Sequence, residues 1–233
     1  MTDTATPEIH RLVAAALPHV AFDGWSEATF RAAIRDSEVD AATARTLCPR
    51  GAVDLALAFH AAGDAAMAAK VAETDMSAMR YRDKVAAAVR FRLEAIEDKE
   101  AVRRGVTLFS LPQYAGLGAS ATWGTVDAIW NALGDTSDDV NWYTKRATLS
   151  GVYGATVLYW LGDESPDHRD TWAFLDRRID NVMQIEKVKS QVRDNPVLKT
   201  VFAGPNWLAS RIKAPSRTQR TDVPGVVTPA PEA

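Results

Sequence analysis

Asn141, Trp142, Tyr143, Thr144, Lys145 and Arg146 form the densest cluster of interaction-capable side chains in this chain. Two large amphipathic rings stand beside two cations. Rings of this kind join apolar area to a polar edge, and long cationic stems let charges sit at a surface. The cluster therefore suits contact with a partner protein or a lipid headgroup layer. A core Trp followed by a solvated basic turn fits the same spacing, so both readings stand at this point.

Residues that could do covalent or metal chemistry are sparse. The histidines are His10, His19, His60 and His168, and none belongs to a Glu-x-x-His pair of the kind that builds di-iron sites in helical bundles. No zinc-protease helix motif, nucleophile elbow, phosphate-binding loop or paired-cysteine motif is present. Glu164 and His168 are four apart but flank Pro166, which takes them off a shared helix face. Cys48, the single cysteine, has Arg50 nearby and no evident base, and reads as a small buried hydrophobe. It also excludes an internal disulfide framework. The expectation is a protein with no catalytic residue, no metal and no cofactor.

The elements that must position the cluster are helices. Ala is abundant and β-branched runs are short, which predicts an all-α chain. Helix 1 is expected over 7–22, capped by Thr6, with an apolar stripe of Ile9, Leu12, Val13, Ala16, Leu17 and Val20. Two short helices follow, at about 26–35 and 40–47. Longer ones are expected at about 51–73, 77–98, 99–110, 115–133, 138–161 and 165–192. The acidic run Asp135–Asp139 reads as the cap of the eighth helix, its charges facing the positive end of the helix dipole. Ser150, Gly151, Gly154 and Ala155 on that helix allow close approach of another. Residues 1–50 form a helix-turn-helix-like unit, 51–195 a bundle, 196–213 an amphipathic piece and 214–233 a disordered tail rich in Ser, Thr, Pro and Val.

A helix-turn-helix raises DNA binding, which needs cations against phosphates. Residues 1–60 carry five Arg against eight Asp and Glu, and the third helix offers one Arg and one Thr as base readers. That balance disfavours DNA as a partner. Cations collect instead late in the chain. Residues 187–220 hold eight Lys and Arg against Asp194 alone, in a chain of net charge −3. Within this stretch Val197, Leu198, Val201, Phe202, Trp207, Leu208 and Ile212 fall largely on one helical face, and Lys199, Arg211 and Lys213 lie elsewhere. This is the pattern of an interfacial helix on anionic lipid, with Gly204-Pro205 splitting it; docking on the body or a partner is the rival. There is no basic n-region at the start and no run of 18 apolar residues, so neither a leader peptide nor a spanning helix is expected. The middle helices carry more apolar bulk than one layer needs, including Phe109, Tyr114, Leu117, Trp123, Ile129, Trp130 and Leu158. An internal tunnel and an ordinary close-packed core both accommodate it.

The run D-x-S-x-D-x-N-W-Y-T-K-R-A-x-L-x-x-V-Y from Asp135 to Tyr153, and the block from Asp163 to Ile179, resemble the coenzyme Q (ubiquinone) biosynthesis accessory family. That resemblance implies a TetR-like helical bundle and a lipid-binding role without catalysis. It implies a homodimer through the eighth and ninth helices, and an isoprenoid quinone intermediate (or a phospholipid) in a tunnel lined by the seven residues just named. It implies that Asn141, Trp142, Tyr143, Lys145 and Arg146 meet a di-iron demethoxyubiquinone hydroxylase, and that 196–213 meets a membrane surface. The expected place is peripheral to a bacterial inner membrane, with a processed mitochondrial form as the other option. A TetR-like ligand-responsive repressor and a non-catalytic scaffold are the alternatives.

Overall fold

Four helices start where a short polar side chain satisfies amides that the helix leaves free, whereas the expected cap of the first, Thr6, makes no side-chain bond to its helix. In the computed structural model, which describes residues 6–194, Thr29 N donates to Ser26 Oγ at 3.3 Å and opens α2 (Glu27–Asp36). Thr43 N donates to Asp40 Oδ1 at 2.9 Å and opens α3 (Ala41–Leu47). Asp98 does the same for α6 (Lys99–Phe109), and Asp139 for α8 (Val140–Gly162). The remaining helices are α1 (Pro7–Asp23), α4 (Ala52–Glu73), α5 (Tyr81–Glu94), α7 (Ala115–Ala132) and α9 (Arg169–Asp194). A 3-10 turn, Pro166–His168, precedes α9. The architecture is all-α, with no strand among the described residues.

Two boundaries differ from expectation for identifiable reasons. α5 begins at Tyr81 rather than near 77, because Ser77 N is held by Asp75 Oδ1 at 2.9 Å and Met79 N closes a turn on Met76 O. α9 does not start at Ser165, because Asp167 and His168 take φ of 53° and 54°, a left-handed pair that interrupts the helix. The segment 196–213 and the tail 214–233 lie outside the described residues.

The described chain forms two compact units. One comprises residues up to Ala69 together with Glu94–Ala121. Its core takes Ile9, Leu12, Ala16 and Val20 from α1, Phe30 and Ala33 from α2, Ala44 from α3, Leu55 from α4 and Ala101 from α6, all fully or almost fully buried. The predicted α1 stripe is buried save for Leu17, which packs part-exposed against this cluster. Trp25 locks α6 to it, its indole N–H donating to Ala101 O at 3.0 Å. α4 has the length and mean hydropathy, 1.2, of a membrane-spanning helix, although its sequence holds no unbroken run of 18 apolar residues. Within the fold it behaves as a core helix: Leu55, Ala56 and Met67 are buried, and Asp54 pairs with Arg50.

The other unit comprises Lys70–Leu93 and residues from Thr122 onward. Here α8 packs on α9. Val89 and Leu93 from α5, Val126 and Ile129 from α7, Leu149 and Val152 from α8, and Leu175 and Ile179 from α9 are buried.

Candidate functional site

Gly134 ends α7 with φ +75°, a conformation that costs glycine nothing. Gly134 N donates to Asn131 O and Asp135 N donates to Trp130 O, the paired bonds of a Schellman motif. This turn delivers Asp135 to the head of α8. The acidic run then divides its work. Asp139 caps α8, accepting from Asn141 N at 2.9 Å and from Asn141 Nδ2 at 3.0 Å. Asp135 turns inward and takes Lys145 Nζ at 2.9 Å and Arg146 Nη1 at 3.3 Å, with Ser137 Oγ as a further donor.

Arg146 is 1% exposed. Its Nε donates to Asp127 Oδ1 at 2.7 Å on α7, and its Nη1 also donates to Trp142 O at 3.2 Å. A buried charge is tolerated only when paired and fully hydrogen-bonded, and two carboxylates plus a carbonyl meet that condition. Arg146 is thus an internal tie between α7 and α8, where the resemblance implied a residue that meets a partner. Lys145 is part-exposed but committed to Asp135 and Ser137, with its ammonium 5.6 Å from the Trp130 ring centre. Burial pushes the Asp135 carboxyl up, but hydrogen bonds from Lys145, Ser137 and Arg146 outweigh it and hold it below the usual range.

Trp142 is half-buried, and stands edge-on to Tyr143 with ring centres 4.8 Å apart. Trp123 lies tilted behind it at 5.9 Å, and the Arg146 guanidinium covers its face at 4.0 Å. Tyr143 and Asn141 face solvent. The rings of the predicted cluster are therefore presented outward on a braced base, and its cations form the base.

On another side of α8 lies a cavity of about 450 Å³. Val85 of α5, Leu149 and Val152 of α8, and Ile179, Val182 and Met183 of α9 form its apolar wall, with Tyr81 and Trp130 stacked at 5.9 Å. Arg80, Arg82, Asn141, Thr144, Lys145 and Thr148 supply its polar edge. Pockets of this size with a few polar groups are the usual form of small-molecule sites. Of the seven residues expected to line a tunnel, Trp130 borders this cavity. Ile129 is fully buried, Trp123 braces Trp142, and Leu158 is 63% exposed. Phe109, Tyr114 and Leu117 belong to the first unit.

The second predicted block builds the turn between α8 and α9. Asp163 accepts from Ser165 N at 2.8 Å, from Thr171 N at 2.9 Å and from Thr171 Oγ1. His168 sits between the edges of Trp160 and Trp172, and Trp172 donates its indole N–H to Asp167 O at 2.8 Å. Glu164 is exposed. Among the described residues no group of His, Cys, Asp and Glu could hold a metal. Cys48 is fully buried, and burial, with the Asp54 charge adding, pushes its thiol up to about 12, so it is no nucleophile at neutral pH.

Sequence reasoning missed Asp127 and Tyr81. Asp127 carried a signal, as a lone acid within the apolar α7. Tyr81 carried none, because its role depends on which helix lands opposite Trp130. The residues expected to meet a membrane, Val197, Leu198, Lys199, Val201, Phe202, Trp207, Leu208, Arg211, Ile212 and Lys213, all lie outside the described residues.

The family model described as COQ9 matches residues 115–186. The ubiquinone biosynthesis protein COQ9, mitochondrial, of Rattus norvegicus is 42% identical over 90 residues, which cover 39% of this chain and 29% of that protein. The protein of the same name from Bos taurus is 28% identical over 192 residues, covering 79% of this chain and 60% of its own. That from Drosophila melanogaster is 30% identical over 186 residues, covering 78% and 57%. The chain thus spans less than two thirds of the length of these relatives. A TetR transcriptional regulator from Nitrosomonas europaea superposes with a TM-score of 0.61 at 20% identity, covering 75% of this chain and 97% of that one. The fold is TetR-like.

Proposed function

We propose, from the match of residues 115–186 to the family model described as COQ9, that this chain serves ubiquinone biosynthesis as a non-catalytic lipid-binding accessory protein. It takes an isoprenoid quinone intermediate into the α5–α7–α8–α9 cavity and presents it at a membrane to a di-iron hydroxylase. The observation that carries this reading is the apolar-walled cavity of about 450 Å³, most of whose wall lies within the matched residues. A polyprenyl tail is costly to lift from a bilayer unless protein apolar surface replaces lipid, at about 25 cal/mol per Å². A cavity bordered by α9, the helix that leads toward 196–213, lowers that cost without chemistry. The basic, amphipathic pattern of 196–213 supports attachment to the surface of an anionic membrane. The relatives are named as mitochondrial proteins; for this Ala-rich chain we propose the bacterial inner membrane. Trp142 and Tyr143 supply the face that meets the hydroxylase.

The repressor reading weakens further in the structure. The one Arg of α3, Arg45, is tied to Glu27 and covers the Phe30 ring at 4.7 Å, so it is not extended for a DNA groove.

Purification without detergent, followed by solvent extraction and mass spectrometry, tests the proposal. A stoichiometric isoprenoid quinone precursor is expected. Trace mixed phospholipid alone would overturn the presentation role and favour the scaffold.

A further inference from the structure

The border that α8 gives the cavity runs through Asn141, Thr144, Lys145 and Thr148, and then through Leu149 and Val152. These positions recur at helical spacing and form one stripe, about 16 Å long at a rise of 1.5 Å per residue. The stripe is polar over its first two turns and apolar beyond Thr148. Asn141, Thr144 and Thr148 are exposed, so a ligand entering the cavity meets them first on the polar side.

Three cations border the cavity as well, and carboxylates already match them. Arg80 donates to Asp83 at 2.7 Å, and Lys145 donates to Asp135 at 2.9 Å. Arg82 pairs with Asp180 and lies 3.7 Å from Asp176. Arg146, which shares Asp135, adds Asp127. Four cations thus stand among five carboxylates, and no unmatched positive charge borders the cavity among the described residues. The start of α8 would attract an anion, but Asp139 caps it. An anionic head would therefore leave water without gaining a counter-charge, which is costly.

We propose that the cavity takes an amphiphile with an uncharged, oxygen-bearing head, the head lying against the first two turns of α8 and the hydrocarbon tail along Leu149 and Val152. This rests on the lipid-binding reading above and adds a head chemistry and an orientation to it. The reverse orientation would set polar oxygens on the apolar end without donors, and hydrocarbon against the threonine hydroxyls. Trp142 and Tyr143 lie between Asn141 and Thr144 in sequence. The head is therefore held in the same turn of α8 that carries the proposed partner face, and the tail points along the helix away from it.

The test uses the full-length chain with labelled Thr, Leu and Val methyl groups. One probe is a methoxylated benzoquinone with a short isoprenoid tail, and the other carries the same tail on a benzoate ring, whose carboxylate is charged. The quinone is expected to bind at least about ten-fold more tightly than the benzoate. Its methoxy protons should give nuclear Overhauser contacts to the Thr144 and Thr148 methyls, and its tail to Leu149 and Val152. Changing Thr144→Val and Thr148→Val together keeps the shape at two exposed positions and should weaken quinone binding about five-fold. Tail contacts at the threonines, or methoxy contacts at both ends, would overturn the orientation while leaving lipid binding standing. Benzoate binding as tight as quinone binding would overturn the selection of an uncharged head. Unchanged quinone affinity in the double variant would overturn the role of the polar turns. If neither probe bound, the lipid-binding reading would fall, and this inference with it.

Discussion

The Arg146 guanidinium lies over the Trp142 ring, 4.0 Å from its centre, while its N–H groups are spent on Asp127, Asp135 and the Trp142 carbonyl. Four residues apart on α8, the two share one helix face. The cation therefore braces the ring from within, and Tyr143 stands exposed beside it. Aromatic anchors held rigid before binding lose little entropy on contact and so carry much of an interface's energy. Trp142→Ala is expected to weaken hydroxylase binding by at least about 30-fold, the loss typical of a hot spot. Trp142→Phe, which keeps a ring for Arg146 to cover, should lose much less. Calorimetry or co-purification with the hydroxylase checks both, and an unchanged affinity for the alanine variant would remove this face from the interface.

Arg146 predicts a different phenotype. Removing it takes the guanidinium from the buried Asp135 and from the part-exposed Asp127, and breaking a buried pair costs about 3–5 kcal/mol. Arg146→Met should lower the urea midpoint by that equivalent. The double change Arg146→Met with Asp135→Asn should recover part of the loss, because fewer buried charges then lack partners. A single variant as stable as the parent would show that the α7–α8 tie contributes nothing.

What could be read from the chain follows the range of the interactions. α1 and its stripe, the Ser26, Asp40 and Asp139 caps and the Gly134 stop are local, and spacing within a few residues determines them. Arg146 was legible as a cation beside two rings, but its burial was not. That depends on Asp127 and Asp135, 19 and 11 residues away, reaching the same point. The cavity was illegible for the same reason. Its Tyr81 and Trp130 stack across 49 positions of sequence. Apolar content indicated that helices pack, and which side chains stand on either side of a space is decided by tertiary packing.

The homodimer proposed through α8 and α9 has a specific surface to test. Gly151, Gly154, Ala155 and Leu158 recur at helical spacing, and Leu158 is 63% exposed. Tyr159 stacks on Phe174 at 4.5 Å beside it, flattening the junction of the two helices. Leu158→Glu should convert a dimer to a monomer in light scattering, because two copies would bring like charges together across a two-fold axis. A dimer that persists in this variant would place the interface elsewhere.

Residues 196–213 give a charge-reversal test. Deletion should abolish binding to liposomes containing anionic lipid. Changing Lys199, Arg211 and Lys213 to Glu should remove the preference for anionic over neutral lipid, since each basic residue near such a surface contributes about 1 kcal/mol. Sedimentation with vesicles at low salt measures both. Binding that survives the deletion would sink the membrane role of this segment.

Asp163 ties stability to pH. Burial pushes its carboxyl up, but hydrogen bonds from Thr171 and Ser165 outweigh that and hold it far below the ordinary range. The unfolded chain, with an ordinary carboxylate near 3.9, then binds the proton more readily than the folded one. Stability from this group is fully present above the unfolded value and declines as pH falls through it toward the folded one. Urea unfolding between pH 6 and 2.5 (roughly the range that spans an unfolded carboxylate) should show this decline. Asp163→Asn should show a shallower one, because it keeps an acceptor and loses the titrating charge. At neutral pH the variant should be less stable by about 1–2 kcal/mol, the usual cost of losing a charged cap. Since Asp163 fastens the end of α8 to the start of α9, the loss should appear first as faster hydrogen exchange at Thr171 and its neighbours. An identical pH slope in parent and variant would mean that the acid response comes from other carboxylates, with Asp135 the next to test.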